Sequence, residues 1–257
     1  MLLVIDVGNT QTVVGVYEGE ELRWRWRIAT NKHDTSDELR LRLRQLLDFE
    51  NVSAARIDGV SLASVVPALT LAWNAAIRYM TGSPALICNA ATAGDLFVHD
   101  YPNPDEIGAD RVADAVAAKA IYGAPVVVVD FGTATNIEAV DAQGRFVGGV
   151  IAPGLETSAA ALFSHATKLG AIDLVDPHTA IGRSSTQAMQ AGIVYGEADR
   201  VDGLVARIFE QLGYEAPVVA TGGLASRVAH ISRTITEVNP DLTLEGLRLV
   251  YEARREG

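Results

Sequence analysis

An apolar strand that delivers an acid, one further residue, a glycine and then polar side chains occurs twice in this chain. The first copy is Leu2-Leu3-Val4-Ile5-Asp6-Val7-Gly8-Asn9-Thr10, and the second is Val126-Val127-Val128-Val129-Asp130-Phe131-Gly132-Thr133-Ala134-Thr135. Uninterrupted runs rich in β-branched residues read as fully buried strands, and the glycine with its polar neighbours reads as a tight turn at the strand end. Further strand segments come after each copy: Thr12 to Tyr17 and Glu21 to Ala29 around Glu18-Gly19-Glu20, then Asn136 to Val140 and Phe146 to Ile151 around Gln143-Gly144. The acid precedes the turn glycine by 13 residues in one copy (Asp6 to Gly19) and by 14 in the other (Asp130 to Gly144). Two meanders of nearly equal spacing, each opening a section that continues into helices, imply duplication of one α/β unit. The expected architecture is α/β, with two related domains, 1–110 and 111–257, each opening with a three-stranded β-meander.

The remaining elements are read from periodicity and capping. Asp34 to Phe49 carries Leu39, Leu43, Leu46 and Leu47 at helical spacing behind cap candidates Asp34, Thr35 and Ser36. Strands are expected at 57–66, 85–88 and 217–220. Further helices are expected at 67–80, 108–122, up to about Lys168, 185–212, 224–231 and 242–254. In the strand Glu21 to Ala29, Arg23, Arg25 and Arg27 alternate with Trp24 and Trp26, a basic-aromatic pattern also found on single-stranded nucleic-acid binders. A strand with one buried and one wet face produces the same alternation.

Composition narrows the function classes. In 257 residues, a hydrophobic fraction of 49% supplies a sizeable core. A formal charge of −11 argues against non-specific nucleic-acid binding, which needs a basic footprint. No window approaches 18 uninterrupted apolar residues, and the N-terminus lacks a basic, cleavable leader, so neither a membrane span nor secretion is expected. The single cysteine and five scattered histidines show no zinc spacing, which fits a reducing compartment, the cytoplasm.

The two turns make chemical sense together as phosphate sites. Glycine lets the backbone approach a phosphate, the hydroxyls of Thr10, Thr133 and Thr135 add donors, and Asp6 and Asp130 can hold neutralising cations. A third turn, Thr221-Gly222-Gly223, ends the strand at 217–220. Asp110 and Arg111 fall in a helix's first turn, where such a pair also reads as an ordinary N-terminal acid with a surface arginine. No Gly-Lys-Ser/Thr phosphate loop, nucleophile-elbow serine or zinc-type His-Glu helix is present.

The paired turns resemble those of the actin-like and sugar-kinase-like ATPase superfamily, whose two ribonuclease-H-like domains hold their ligands in the cleft between them. Within it, Tyr101, Asn103-Pro104, Glu106-Ile107 and Gly108-Ala109-Asp110-Arg111 resemble the signature of the type III pantothenate kinases. The resemblance extends over essentially the whole chain through Asp6 to Thr10, Asp130 to Thr135, Gly148-Gly149, Pro153-Gly154 and Gly182 to Gly192. It implies phosphorylation of pantothenate to 4′-phosphopantothenate, the first committed step of coenzyme A synthesis, by a homodimer. It further implies ATP at Asp6, Val7, Gly8, Asn9, Thr10, Gln11, Thr12, Val13 and Thr133, with Mg²⁺, and a monovalent cation (K⁺ or NH₄⁺) at Asp130. Pantothenate would lie at Tyr101, Gly108, Ala109, Asp110, Arg111 and Ser185, with Asp110 the catalytic base. The substrate's carboxylate calls for a cation and its primary alcohol for a proton acceptor, which Arg111 and Asp110 would supply.

One departure is visible: Ser184-Ser185 stands after Gly182-Arg183 where the family has Asn-Thr after Gly-Lys, so Ser185 keeps the hydroxyl and lacks the methyl. The pair Gly192 and Gly196 suits close helix packing, within the chain or at a dimer seam. Alternatives are another small-alcohol or sugar kinase of the superfamily, which has no reason to carry the 101–111 segment, and a regulator that binds ATP without phosphotransfer.

Overall fold

The computed structural model describes residues 1–165 and 172–256. Its contacts divide the chain into two compact units. The first comprises Met1–Val98, Pro102–Ala117 and Leu242–Gly257, and the second comprises His99–Tyr101 and Ala118–Asp241.

In the first unit, β1 (Leu2–Val7), β2 (Gln11–Glu18) and β3 (Glu21–Ala29) form the expected antiparallel meander. Strand β4 (Gly59–Ser64) lies parallel to β1 on its other side, α1 (Ser36–Phe49) having intervened, and β5 (Leu86–Ile87) comes after α2 (Pro67–Thr81), giving the order β3-β2-β1-β4-β5. Helix α1 starts in a capping box, with Thr35 Oγ1 accepting from Glu38 N and the Glu38 carboxylate accepting from Thr35 N, and it buries Leu39, Leu43 and Leu47. Proline opens α2 and Gly82, at φ +81°, closes it in the left-handed conformation. These helices and the sheet enclose a core that includes Leu3, Ile5, Val14, Leu62, Trp73 and Ile77. Trp24 and Trp26 pack against this core from β3, whereas Arg23, Arg25 and Arg27 are exposed. A half-buried edge strand therefore accounts for the arginine-tryptophan alternation.

Two short elements carried no periodic signal: α3 (Ala90–Ala93), capped by Asn89, and β6 (Val98–His99). Helix α4 (Ala109–Tyr122) comes next.

The second unit repeats the plan. Strands β7 (Val126–Phe131), β8 (Ala134–Val140) and β9 (Arg145–Pro153) form its meander, and all four valines of β7 are fully buried. After α5 (Leu155–His165) come α6 (Ser185–Gln190), a π-helical turn Ala191–Tyr195 and α7 (Gly196–Leu212), which together make the long helical region expected from 185 to 212. Residues 166–168, the expected end of the preceding helix, lie outside the described residues. Strand β10 (Val218–Thr221) runs parallel to β7, and α8 (Ala225–Val228) leads to β11 (Glu237–Val238), giving the sheet order β11-β10-β7-β8-β9-β6. The segments β3-β2-β1-β4 and β9-β8-β7-β10 share order and strand senses, so the sequence repeat is a structural repeat.

The contacts divide the chain elsewhere than between 110 and 111. The start of α4 belongs to the first unit, and so does α9 (Leu242–Glu256), which packs on β1 and β4. Its apolar face buries Leu242, Leu244, Leu247 and Val250. Two close approaches seat it: Tyr251 occupies the space of a side chain at Gly59, and the backbone of Ala113 occupies that at Gly246. Arg254 donates to the carbonyls of Ala91 (2.5 Å) and Thr92 (2.8 Å). Among the described residues, no helix is long and apolar enough to cross a membrane.

Candidate functional site

In the first unit, β1 ends in a turn that only glycine closes: Gly8 N donates to Gln11 O at 3.0 Å, and a Cβ on Gly8 would come within 2.9 Å of that carbonyl. Asn9, Thr10 and Gln11 are exposed on this turn. Val7 and Thr12 face inward, and the Thr12 hydroxyl pairs with that of Thr30 at 2.8 Å. Thr30 N in turn donates to Thr10 O at 2.9 Å, fixing the turn from behind. What Val7 and Thr12 can offer a ligand is therefore backbone, while Asn9, Thr10 and Gln11 can offer side chains.

At the start of α4, Asp110 Oδ1 accepts from Arg111 N at 2.8 Å. That oxygen occupies the space a Cβ would need at Gly108, so the glycine makes room for the carboxylate. Burial pushes the Asp110 pKa up; the amide and the guanidinium of Arg111 pull it back only in part. Ala109 and Arg111 are buried, and Asp110 keeps partial access to solvent. Nearby, the Cys88 thiol lies 3.7 Å from Ala109 O, and its pKa is pushed up to about 12 by burial and then by the charges of Asp6, Asp110 and Asp114. The fold thus brings Asp6 and Asp110 within electrostatic reach of one buried point. Asp114, which sequence reasoning did not single out, joins them; it sits one helical turn after Asp110 and accepts from Thr243 Oγ1 of α9 at 2.7 Å.

In the second unit, Tyr101 stacks obliquely on Phe146, with ring centroids 5.9 Å apart, and passes over Gly148, whose φ is +119°. Ser185 is the exposed first residue of α6, and Ser184 caps that helix by accepting from Gln187 N at 3.2 Å. A Cβ at Gly192 or Gly196 would meet nothing within 4 Å, so close packing within the described chain does not explain either glycine.

Asp130 is the penultimate residue of β7, with Thr221 of β10 on one side and Asn136 of β8 on the other in register. Gly222, at φ +90°, leaves open the space in which a Cβ would collide with Asp130 Oδ1 and the Phe131 carbonyl. Asn136 Oδ1 is buried and has no hydrogen-bond partner among the described residues. A carboxylate with carboxamide oxygen beside it, under a glycine, fits a hard cation.

The turn beyond Asp130 is held from one side. Gly132 N donates to Ala134 O at 3.0 Å, and the Thr133 carbonyl accepts from Gly154 N at 3.1 Å and from Thr157 Oγ1 at 2.6 Å. Gly154 is wedged against the carbonyls of Gly132 and Thr133, with no room for a side chain. Thr133 is exposed. Thr135 corrects an expectation: its hydroxyl does not face a phosphate but donates into the core, to Glu197 Oε1 at 2.6 Å, and the residue is 1% exposed. Strand β8 begins at Ala134 rather than Asn136, and strand alternation sends Thr135 to the helix-covered face. Glu197 and Arg200 were missed; the available signal was only an acid and a base three residues apart in a helix that carries several other charged residues.

The sequence model of the type III pantothenate kinase family matches residues 2–207. A type III pantothenate kinase from Moorella thermoacetica is 44% identical over 252 residues, covering 98% of this chain and 99% of its own. One from Frankia alni is 48% identical over 253 residues, with the same coverages. Among solved structures, a ROK hexokinase from Thermus thermophilus (TM-score 0.52, 15% identity, 100% and 99% of the two chains covered) is similar in fold. So is the activator of 2-hydroxyisocaproyl-CoA dehydratase from Clostridium difficile with bound ADPNP (TM-score 0.54, 13% identity, 100% and 97% covered). The fold is that of the actin-like and sugar-kinase-like ATPases, and the chain belongs to the type III pantothenate kinase family.

Proposed function

We infer that this protein transfers the terminal phosphoryl group of ATP to the primary alcohol of pantothenate, giving 4′-phosphopantothenate for coenzyme A synthesis. The observation that carries the chemistry is Asp110: an acid at the start of a helix whose pKa burial raises, beside a buried arginine. Raising the pKa of a carboxylate makes it a stronger base for the substrate proton. Asp110 Oδ1 is committed to the Arg111 amide, which leaves Oδ2 to accept the proton as the alcohol oxygen attacks the γ-phosphorus in line. Arg111 pairs with the pantothenate carboxylate. Tyr101, Gly108, Ala109 and Ser185 contribute to the same substrate's binding.

ATP is taken by the turn from Asp6 to Val13, through the backbone at Gly8 and the side chains of Asn9, Thr10 and Gln11, and by Thr133. Asp130 would hold a monovalent cation, K⁺ or NH₄⁺; that ion and Mg²⁺ would offset phosphate charge. In a phosphoryl transfer of this kind, the protein's share is positioning and electrostatics. We place the enzyme in the cytoplasm as a homodimer, the open faces of Gly192 and Gly196 supporting a seam there.

The test is a coupled assay of ADP release with pantothenate present or absent. Stimulation by pantothenate and not by sugars is expected; stimulation by a sugar alone would assign the site to another kinase of the superfamily.

A further inference from the structure

The π-helical turn Ala191–Tyr195 interrupts the long helix just before Gly196 and Glu197. One extra residue in a helix rotates the succeeding side chains by about 100° around its axis, and such turns recur at functional sites. Glu197 is the second residue after it, with its side chain turned inward, 2% exposed, on a stretch whose neighbours Val194, Ala198 and Val201 belong to the apolar core. A carboxylate costs stability there, and its ion pair with Arg200 does not by itself explain its presence. Buried pairs of this kind can often be replaced by packed apolar groups without loss.

The other bonds of the pair explain it better. Glu197 Oε1 accepts from Thr135 Oγ1 at 2.6 Å, while Arg200 joins the Glu197 carboxylate to the Pro153 carbonyl, the latter at 2.5 Å. Ala134 and Thr135 pair with Pro153 and Ala152, so these two grips fall on β8, directly after the Gly132–Ala134 turn, and on the end of β9 paired with it. Just beyond, Gly154 N and Thr157 Oγ1 hold the Thr133 carbonyl. Because the peptide unit is planar and trans, that fixes the Ala134 N–H on the opposite edge.

We propose that Glu197, with Arg200, is a positioning residue: its carboxylate sets the conformation of the Gly132–Thr135 turn that receives the phosphates of ATP, without touching the nucleotide. This rests on the reading of that turn as part of the ATP site. The chemistry recognised is that of a nucleoside triphosphate, so the effect should fall on ATP and spare pantothenate.

Steady-state kinetics of the full-length enzyme, with each substrate varied and thermal melts alongside, test this in Glu197→Ala, Thr135→Val, Thr135→Ser and Thr133→Val. Glu197→Ala and Thr135→Val should raise KM for ATP roughly tenfold to a hundredfold, the effect of losing a hydrogen bond to a charged group. KM for pantothenate should stay within about twofold, as expected when contacts to the second substrate are untouched. Thr135→Ser, which keeps the hydroxyl, should recover most of the ATP affinity. A lowered melting temperature with unchanged KM for ATP, an equal rise in both KM values, or Thr135→Ser behaving like Thr135→Val would overturn the proposal. If Thr133→Val raises KM for ATP while Glu197→Ala and Thr135→Val do not, only the positioning role fails. If Thr133→Val has no effect, the turn is not an ATP site and the proposal falls with it. Should Glu197→Ala not fold, Glu197→Gln and Thr135→Val decide by the same readouts.

Discussion

Asp110 and Asp202 are both largely surrounded by protein, yet the fold treats them in opposite ways. Burial would raise the pKa of Asp202, but the hydroxyl of Ser232, the amide of Arg233, the hydroxyl of Thr234 and the Arg233 guanidinium outweigh it and hold it at about 2. The carboxylate accepts from Ser232 Oγ at 2.6 Å, Thr234 Oγ1 at 2.8 Å and Arg233 N at 3.0 Å, and so ties α7 to the segment leading to β11. Asp110 Oδ1 accepts from its neighbour's amide at 2.8 Å, yet burial outweighs the donors around it and its pKa goes up. In one acid the donors outweigh burial and the group serves the structure; in the other burial outweighs the donors, which suits a group that is to take a proton from a substrate.

The widest separation between the two should appear in turnover. Asp110→Asn is expected to lower kcat by about 10²–10⁴, the usual span for a lost general base, with the fold retained. Asp202→Asn should leave kcat per folded molecule near wild type; the same loss of turnover in both variants would break the comparison. The next largest effect concerns the cation: potassium should activate the wild-type enzyme, and Asp130→Ala should abolish the response. Absence of any response to K⁺ or NH₄⁺ in the wild type would remove that assignment from Asp130.

Stability should separate the pair in the other direction. Asp202→Ala is expected to cost about 1–3 kcal/mol at neutral pH, because it strands donors that the carboxylate now satisfies. Since the folded pKa of Asp202 is depressed, its contribution is present above the ordinary value of 3.8 and is lost as pH falls towards about 2. Denaturant melts of wild type and variant should therefore converge over that window. For Asp110 the sign reverses. Its raised folded pKa means that its contribution is most favourable below the ordinary value and is lost as pH rises through the folded value. Asp110→Asn should thus melt slightly higher than wild type at neutral pH, with the advantage shrinking in acid; a lower melting temperature at neutral pH would show that Asp110 is a structural acid like Asp202.

How much of this was legible in the sequence depends on the range of the interaction. The two meanders were readable because an unbroken valine run and the spacing from acid to turn glycine are local signals. The strand-ending Asp6 and Asp130 and the helix-opening Asp110 came from the same local reading, and the roles of Arg111 and Ser185 came from the resemblance. The return of α9 to the first unit was not readable, because its apolar face specifies burial but not against which sheet. Strands β6 and β11, of two residues each, are too short for any periodicity. Thr135 was misjudged because two hydroxyls flank Ala134, and only the true start of β8 decides which of them faces the core. The bonds from Glu197 to Thr135 and from Asp202 to Ser232 span 62 and 30 residues and join side chains that look unremarkable in isolation.

The most direct measurement of the central claim is ADP release by the purified full-length protein at saturating ATP, with and without pantothenate, over a range of K⁺ concentrations. The account predicts release that depends on pantothenate, rises with K⁺ and disappears in Asp110→Asn. ADP release that is indifferent to pantothenate at every K⁺ concentration would contradict it.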